Sequence, residues 1–361
     1  MAEDSSSRYM KLALSLAKRG RGKTSPNPMV GAVVVKEGRI VGEGYHRRAG
    51  TAHAEVLALK EAGGRARGGD LYVNLEPCCH YGRTRPCTDA IIEAGIKRVI
   101  YAITDPNPLV DGKGAKILNS NGIKTERGLL ENDASHLNEI YLKYIATGRP
   151  FVVLKTAQSL DGRIATLTGD SKWISGPEAL KFAHRLRAEC DAVAVGSGTV
   201  RADNPQLTVR LVKGKNPYRI ILTEHPDISN HFNIFKNNDD AKTIVATSQE
   251  AAGKIGKKNL IVWTIRKNKK GLVLKDFLEV AGQFGIQSLL IEGGSRLATS
   301  FLKEGLVDKH HLMIAPLLIG KGLEGIGDLH IRRLTEAVKY REYKFERCGK
   351  DMLFTGYPEG K

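Results

Sequence analysis

The sequence has 361 residues, of which 41% are hydrophobic and 26% charged, and a formal net charge of +17. This composition is typical of a soluble globular protein of about two domains, and it excludes a membrane-spanning chain because no apolar run approaches the roughly 20 residues that cross a bilayer. The positive excess, +6 in residues 1–148 (22 basic, 16 acidic) and +11 in residues 149–361 (34 basic, 23 acidic), favours anionic small molecules. Few aromatic residues and no long basic block argue against nucleic acid.

The first half predicts an α/β layered domain. Hydrophobic spacing and turn residues predict, in chain order, a helix over 9–17, a stiff loop at 25–28, a hairpin of strands 31–35 and 39–44, a helix over 51–62 capped by Thr51, a strand over 71–75, a helix over 88–94 and a strand over 98–104. Such an order is typical of a sheet covered by helices.

The second half restarts the pattern after Gly148-Arg149-Pro150, so we predict domains 1–148 and 149–361. Strands are predicted at 151–156, 192–195, 219–222, 243–246, 260–263, 288–291 and 310–314, with helices between them, including 177–189 and 296–304. This pattern indicates a second α/β domain with its own core.

Five cysteines are too few, and odd in number, for a disulfide framework, and three of them crowd into residues 78–87. The apolar stretch 9–17 is interrupted by Lys11 and lacks the character of a secretory signal. We therefore expect a cytoplasmic protein whose clustered cysteines bind metal or act in catalysis.

His53 and Glu55 lie at the start of a predicted helix, Cys78 follows a strand, and Cys87 opens the next helix. One imidazole and two thiolates form a three-ligand set for Zn²⁺ that leaves a fourth position for water. Because Glu55 follows the histidine by two residues, it can reach that water without ligating the metal and move its proton to a ring nitrogen and a departing amine. This set predicts hydrolytic deamination of a nucleobase-like ring.

The spacing of this cluster leaves alternatives open. Eight residues separate Cys78 from Cys87, whereas zinc deaminases commonly have two between the cysteines. A structural zinc site, buried thiols, or Cys79 as an alternative ligand are each compatible with the residue types. The insert 79–86 is long enough to form part of a substrate pocket.

Four segments, 25–32, 53–55, 76–84 and 105–108, together resemble the bifunctional riboflavin-biosynthesis deaminase-reductase family, and the long insert favours it over RNA or cytidine deaminases. The resemblance implies a cytidine-deaminase-like αβα fold for the N-terminal domain. It implies substrate contacts at Asn27, His46, Arg83, Asp105 and Asn107. Arg85 stands where the family often has proline.

The second half carries glycine-rich turns at 196–198 and 293–294, and arginines, Arg187 and Arg210, able to clamp a phosphate. No Gly-x-Gly-x-x-Gly follows its first strand, which disfavours a Rossmann dinucleotide site. From the residues alone, this half is an α/β domain with an anionic ligand.

The same family resemblance covers nearly the whole chain and implies a dihydrofolate-reductase-like α/β domain that uses NADPH. It implies cofactor contacts at Ala157, Trp173, Thr199, Asp203, Gly294, Ser295, Arg296, Leu297, Ala298, Thr299 and Ser300. It implies substrate contacts at Ser171, Arg187, Leu207, Arg210 and Glu292. Lys155 and Asp161 are candidate polar residues of the reductase site. Thr223-Glu224 and Lys321 depart from the family pattern, and we expect neither to abolish reduction.

The resulting expectation is an enzyme with Zn²⁺ and NADPH that deaminates a phosphoribosylated diaminopyrimidinone and then reduces its ribosyl group to ribityl. We expect a homo-oligomer with no nucleic-acid or membrane partner. Two alternative hypotheses are that the protein is an RNA or nucleobase deaminase with a non-catalytic C-terminal domain, or that it is a non-enzymatic ligand-binding or regulatory protein.

Overall fold

A computed structural model describes residues 5–82, 84–225, 231–236, 238, 240, 242–255 and 260–359. The chain divides into two compact units, Met1–Gly148 and Arg149–Lys361. No helix in the described part of the chain is both long and apolar enough to cross a membrane.

The first unit is one five-stranded sheet with helices on both faces. Its helices are α1 (Ser5–Lys18), α2 (Ala54–Ala62), α3 (Cys87–Glu93), α4 (Lys113–Ser120), α5 (Glu131–Leu137) and α6 (Glu139–Thr147). Its strands are β1 (Gly31–Lys36), β2 (Arg39–Tyr45), β3 (Asp70–Leu75), β4 (Arg98–Ile103) and β5 (Lys124–Arg127). The strand order is β2-β1-β3-β4-β5; β3, β4 and β5 are parallel and β1 is antiparallel to both its neighbours.

Glycines place the helices close to the sheet. A Cβ on Gly31 would lie 2.1 Å from the carbonyl oxygen of Ala13 in α1, and one on Gly44 would lie 2.3 Å from the carbonyl oxygen of Ala54 in α2. Gly44 pairs with Ala32, the neighbour of Gly31, and successive side chains point to opposite faces of a strand. Helices α1 and α2 therefore pack on opposite faces, which gives the predicted αβα layers.

The second unit is built on a nine-stranded sheet. Its helices are α7 (Pro177–Glu189), α8 (Ser197–Asp203), α9 (Asn233–Lys236), α10 (Gln249–Ala252), α11 (Leu274–Gln283) and α12 (Ser295–Lys303). Its strands are β6 (Phe151–Ser159), β7 (Arg163–Thr166), β8 (Ala192–Gly196), β9 (Tyr218–Leu222), β10 (Thr243–Thr247), β11 (Ile261–Thr264), β12 (Lys267–Asn268), β13 (Gly271–Leu272), β14 (Ser288–Ile291), β15 (Lys309–Ala315), β16 (Gly322–Glu324), β17 (Tyr340–Cys348) and β18 (Asp351–Pro358).

The strand order of the large sheet is β11-β10-β9-β8-β14-β6-β15-β18-β17. The seven strands from β11 to β15 are parallel, and β18 and β17 add antiparallel pairs at one edge. The carboxyl ends of parallel strands share one edge, which is where α/β proteins bind ligands. Strands β12 and β13 form a separate hairpin, and β7 pairs with β16.

The predicted α/β class is confirmed, with local corrections. Thr51 does not cap α2: its hydroxyl donates to the carbonyl oxygen of Arg48 at 2.7 Å, and the helix begins at Ala54 after an extended His53. The strand predicted from residue 260 begins at Ile261. Helices α4 to α6 and strand β5 were not predicted; β5 (Lys124–Arg127) contains no apolar residue that would mark a buried strand. Strands β7, β12, β13, β16, β17 and β18 of the second unit were not predicted either.

Candidate metal centre and a second cleft

Three side chains able to bind a metal meet in the first unit. The Nδ1 atom of His53 lies 3.2 Å from the sulfur of Cys87 and 3.4 Å from the sulfur of Cys78. All three ligand atoms lie within 4.8 Å of one another. His53 immediately precedes α2, Cys87 is the first residue of α3, and Cys78 follows β3, so the strand end and two helix starts build the cluster.

The protein's own groups favour a thiolate in this cluster. A hydrogen bond from the Cys87 thiol lowers the pKa of Cys78 to about 4 against the effect of burial. The hydrogen bond with Cys78 raises the pKa of His53 to about 8. The backbone N–H of Cys87 also donates to the sulfur of Cys78 at 3.4 Å. Two sulfurs and one imidazole nitrogen, partly buried and within reach of a single ion, fit the donor set of a catalytic Zn²⁺ site.

Glu55 lies in the first turn of α2 and its side chain is buried. Burial raises the pKa of Glu55 above its ordinary value, and its carboxyl is hydrogen-bonded to the thiol of Cys87. A buried carboxyl beside the ligand cluster, with a raised pKa, is suited to accept and return protons near neutral pH.

Cys79 points away from the cluster. Its thiol donates to the carbonyl oxygen of Leu109 at 3.5 Å, and it is not among the three grouped ligands. The geometry therefore favours Cys78 over Cys79 as the ligand.

Asn27 and His46 meet beside the ligand cluster. The Nδ2 atom of Asn27 lies 3.0 Å from Nε2 of His46, and Nδ1 of His46 lies 3.2 Å from the carbonyl oxygen of Ala52. Burial lowers the pKa of His46, so its ring is neutral, with Nδ1–H donating to Ala52 and Nε2 accepting from Asn27. The His46 ring packs edge-on against His53, with the ring centroids 5.3 Å apart.

Asp105 and Asn107 form a tight turn after β4. The backbone N–H of Asn107 donates to Oδ1 of Asp105 at 2.9 Å, and that of Leu109 donates to Oδ1 of Asn107 at 3.1 Å. Asp105 is buried, and burial raises its pKa. The predicted contact Arg83 lies outside the described residues.

Glu76 is a functional candidate that sequence reasoning missed. Its buried carboxylate accepts backbone N–H groups from Asp105 (3.4 Å), Gly112 (3.0 Å) and Ala115 (3.1 Å). It stands two residues before Cys78, so it ties the ligand turn to the loop that carries Asp105 and to the start of α4. Its place directly before Pro77-Cys78 was the only signal in the sequence.

A cavity of about 1370 Å³ opens over the carboxyl ends of β8, β9 and β14 in the second unit. Many residues predicted for cofactor or substrate line it: Lys155, Ala157, Ser171, Arg187, Thr199, Asp203, Leu207, Glu292, Gly294, Ser295, Arg296, Leu297 and Ser300. The hydroxyl of Thr199 accepts the backbone N–H of Gly294 at 2.9 Å, which joins α8 to the turn before α12.

The other predicted residues lie outside this lining. Trp173 is 71% exposed, and Ala298 packs in the hydrophobic core. Thr299 donates to the carbonyl oxygen of Ser295 and accepts from the backbone of Gly327. Arg210 binds the hydroxyl of Thr208 at 2.7 Å. Asp161 accepts backbone N–H groups of Ile319 and Gly320, so it shapes a turn.

A buried ion pair lies on the floor of the cleft. Both oxygens of Glu292 accept from the guanidinium of Arg187, and the two side chains are 11% and 13% exposed. Burial alone would raise the pKa of Glu292, but the positive charges of Arg187 and then Lys155 outweigh that effect, and the pKa of Glu292 lies below its ordinary value. Burial lowers the pKa of Lys155, which places a readily released proton in the cleft.

The hairpin β12–β13 lines the same cleft through Asn268, Lys270, Gly271 and Leu272. The amino group of Lys267 pairs with Glu224 at 3.1 Å and holds the hairpin near the end of β9. The basic run 267–270 has the composition of a solvated loop, so sequence patterning could not place it at a site. Thr223 also lines the cleft, whereas Lys321 is exposed and lies outside it.

Comparison with known proteins assigns both units. Residues 3–103 match the cytidine and deoxycytidylate deaminase zinc-binding region, and residues 150–354 match the RibD C-terminal domain. A riboflavin biosynthesis protein RibD from Aquifex aeolicus is 51% identical over 348 residues, 96% of each chain. The chain belongs to the RibD family. RibD of Acinetobacter baumannii (form 1) has a similar structure, with 38% identity, a TM-score of 0.89 and coverage of 98% of this chain and 99% of that one.

A second solved RibD relative has a name that states both activities. The diaminohydroxyphosphoribosylaminopyrimidine deaminase/5-amino-6-(5-phosphoribosylamino)uracil reductase of Thermotoga maritima is 38% identical, with a TM-score of 0.86 and coverage of 98% and 99%. As a RibD protein, the chain is a bifunctional deaminase and reductase of riboflavin biosynthesis, with a zinc-binding deaminase domain and an NADPH-using reductase domain. The expected activities, fold class and cofactors are thereby confirmed.

Proposed function

We propose that residues 1–148 deaminate 2,5-diamino-6-(5-phosphoribosylamino)pyrimidin-4(3H)-one and that residues 149–361 reduce the product. In the first reaction, water replaces the amino group on C2 and ammonia leaves. In the second, a hydride from NADPH and a proton reduce ribosyl C1′ and open the sugar to a ribityl chain. The name of the Thermotoga maritima relative and the two separate sites of this chain support the assignment.

In the deaminase site, His53 through Nδ1, Cys78 and Cys87 would hold Zn²⁺. Zinc supplies Lewis acidity that makes water a nucleophile at neutral pH. Glu55 would carry one proton of the attacking water to the ring nitrogen, and then the proton of the hydroxyl added at C2 to the amino group, so that ammonia leaves as C2 becomes a carbonyl. The single observation that carries this role is the buried carboxyl of Glu55 beside Cys87, with its pKa raised by burial.

The substrate ring is held by the two loops beside the cluster. Asn27 and His46 form one wall, and Asp105 and Asn107 the other, with Arg83 assigned by family resemblance. The neutral ring of His46 and the amide groups offer hydrogen bonds, and the carboxylate of Asp105 accepts N–H groups of the aminopyrimidine.

In the reductase site, NADPH supplies the hydride. We assign its contacts to the cleft-lining residues Ala157, Thr199, Asp203, Gly294, Ser295, Arg296, Leu297 and Ser300, with Trp173 at the exposed rim and with Ala298 and Thr299 supporting the helix from behind. The turn 293–294 and the start of α12 offer backbone N–H groups to its phosphates, and Arg296 and Lys270 add positive charge in the cleft.

The reductase substrate contacts Ser171, Arg187, Leu207, Arg210 and Glu292. Lys155 lies in the cleft next to Glu292, and we assign it the delivery of the proton that accompanies the hydride. We assign Asp161 to shaping the turn at residues 319–320, one step removed from the substrate.

The protein acts as a homo-oligomer in the cytoplasm in this proposal. Strand β17 is at the edge of the nine-stranded sheet and exposes Tyr343 (65%) and Phe345 (57%), a surface suited to contact with a second copy. All five cysteines are free thiols, as expected in a reducing compartment.

The experiment supplies the phosphoribosylated diaminopyrimidinone and follows ammonia release and NADPH absorbance separately. Glu55→Ala is expected to lose ammonia release by roughly 10²-fold or more. It should keep bound zinc and the NADPH oxidation that the deaminated substrate supports. If both activities vanish together in a folded Glu55→Ala protein, the assignment of two independent sites is wrong.

A further inference from the structure

The first turn of α6 contacts both loops of the proposed deaminase pocket. Asn138 immediately precedes this helix and Tyr141 lies in its first turn, three residues later and on the same side. The helix lies outside residues 3–103, which match the deaminase family. Asn138 and Tyr141 are both buried.

Asn138 holds the loop that carries Asn27. Its Oδ1 accepts the backbone N–H of Met29 at 2.8 Å, and its Nδ2 donates to the carbonyl oxygen of Met29 at 3.0 Å. Asn74, at the end of β3, donates to the same carbonyl at 2.9 Å. The backbone N–H and C=O of Met29 are thus both held by hydrogen bonds, two residues after Asn27, whose side chain pairs with His46.

Tyr141 holds the carboxylate of Asp105. Its hydroxyl donates to Oδ1 at 2.9 Å and lies 3.2 Å from Oδ2, and it is also hydrogen-bonded to the side chain of Asn107. Burial and the charge of Asp105 raise the pKa of Tyr141, so its hydroxyl stays protonated as a donor. Each carboxylate oxygen has two lone pairs, so Asp105 keeps acceptor capacity for a ligand.

We propose that the first turn of α6 is the positioning element of the deaminase pocket, with Tyr141 orienting the Asp105 carboxylate toward the N–H groups of the aminopyrimidine. The inference rests on the proposed function, because it requires Asp105 to bind that ring. Asn138 and Tyr141 act through the loops and do not touch the reacting atoms. A rotated carboxylate would weaken substrate binding without disturbing His53, Cys78 or Cys87.

The test is a double-mutant cycle between Tyr141→Phe and Asp105→Asn, with steady-state deamination of the diaminopyrimidinone as the readout. Tyr141→Phe should lower kcat/KM about tenfold or more, mainly through a higher KM. The double variant should lose little more than Asp105→Asn alone, because the two residues act as one unit. Zinc content and NADPH-dependent reduction of the deaminated product should stay at wild-type values.

Tyr9→Phe is the matched control. Tyr9 is as buried as Tyr141, and its hydroxyl donates to the carbonyl oxygen of Gly38 at 2.7 Å, away from both loops. It should match Tyr141→Phe in the change of Tm but keep the wild-type KM.

Two outcomes overturn the inference in distinguishable ways. If Asp105→Asn raises KM while Tyr141→Phe behaves as wild type, or if the two effects add in full, Tyr141 does not act through Asp105. If Asp105→Asn itself leaves KM unchanged, the proposed substrate contact fails together with the inference.

Discussion

Removing the charge of Glu292 is expected to destabilise the second unit severely. Glu292 is the acidic partner of Arg187, and it also faces Lys155 and His184. In Glu292→Gln, the buried guanidinium of Arg187 loses its counter-charge and one of its two oxygen acceptors, and Lys155 loses the one opposite charge among the groups that perturb it. An uncompensated charge then remains on a guanidinium that is only 13% exposed.

The magnitude follows from this geometry. Breaking a buried pair by removing one partner costs about 3–5 kcal/mol, far more than the 0–1 kcal/mol of an exposed pair. For a unit of this length, each kcal/mol lowers Tm by roughly 2–4 °C, so we expect a decrease of about 6–20 °C. Reduction should be lost as well, since Glu292 lines the cleft.

The assay is thermal unfolding of the full chain followed together with both activities. Glu346→Gln is the control, because Glu346 pairs with Lys344 at 2.8 Å while both side chains are at least half exposed. It should move Tm by no more than a few degrees. A Glu292→Gln protein whose Tm falls no further than that of the control would refute the argument from burial.

Three further predictions concern pH and packing. Burial lowers the pKa of Lys155, so on raising the pH this side chain loses its donor proton before a free lysine would, whose pKa is ~10.4. The rate of reduction should therefore decline at a pH below that value, and Lys155→Met should reduce slowly at every pH. Burial lowers the pKa of His311 from 6.5 to about 3, so below pH 6.5 the unfolded chain binds a proton that the native state does not, and stability should fall as the pH decreases. Between pH 7.5 and 4.5, the Tm of His311→Gln should therefore fall less steeply than that of the wild type. An equal slope would argue against this cause. Gly31→Ala places a Cβ 2.1 Å from the Ala13 carbonyl oxygen, so chemical denaturation should show the first unit to be less stable by about 3 kcal/mol or more. Gly64→Ala is the control and should be neutral, because a Cβ there meets nothing within 4 Å.

The metal centre could be predicted from the sequence because its signals are local. His53 and Glu55 are two residues apart, and Cys78 and Cys87 adjoin a strand end and a helix start that hydrophobic patterning already marks. Residue type then indicates the ion, since thiolate and imidazole are ligands that zinc prefers.

The contacts that support the sites could not be predicted, because they join residues that are distant in sequence. Arg187 and Glu292 are 105 positions apart, and Tyr141 and Asp105 are 36 apart. From the sequence, a single arginine or tyrosine does not indicate which distant residue it contacts in the fold. The hairpin lysine Lys270 was likewise indistinguishable from a surface charge until the fold placed it in the cleft.

The carboxylate of Glu76 has a consequence for how this chain can change in evolution. It accepts backbone N–H groups at three places between residues 105 and 115, so an inserted or deleted residue between them would misplace at least one donor against a buried charge. The hairpin turn after β1 is less constrained: it accepts one side-chain hydrogen bond, from the hydroxyl of Tyr9 to the carbonyl oxygen of Gly38, and a Cβ built on Gly38 would meet nothing within 4 Å. Length variation among descendants of this sequence should therefore be rare in the 105–115 segment and tolerated at residues 36–38.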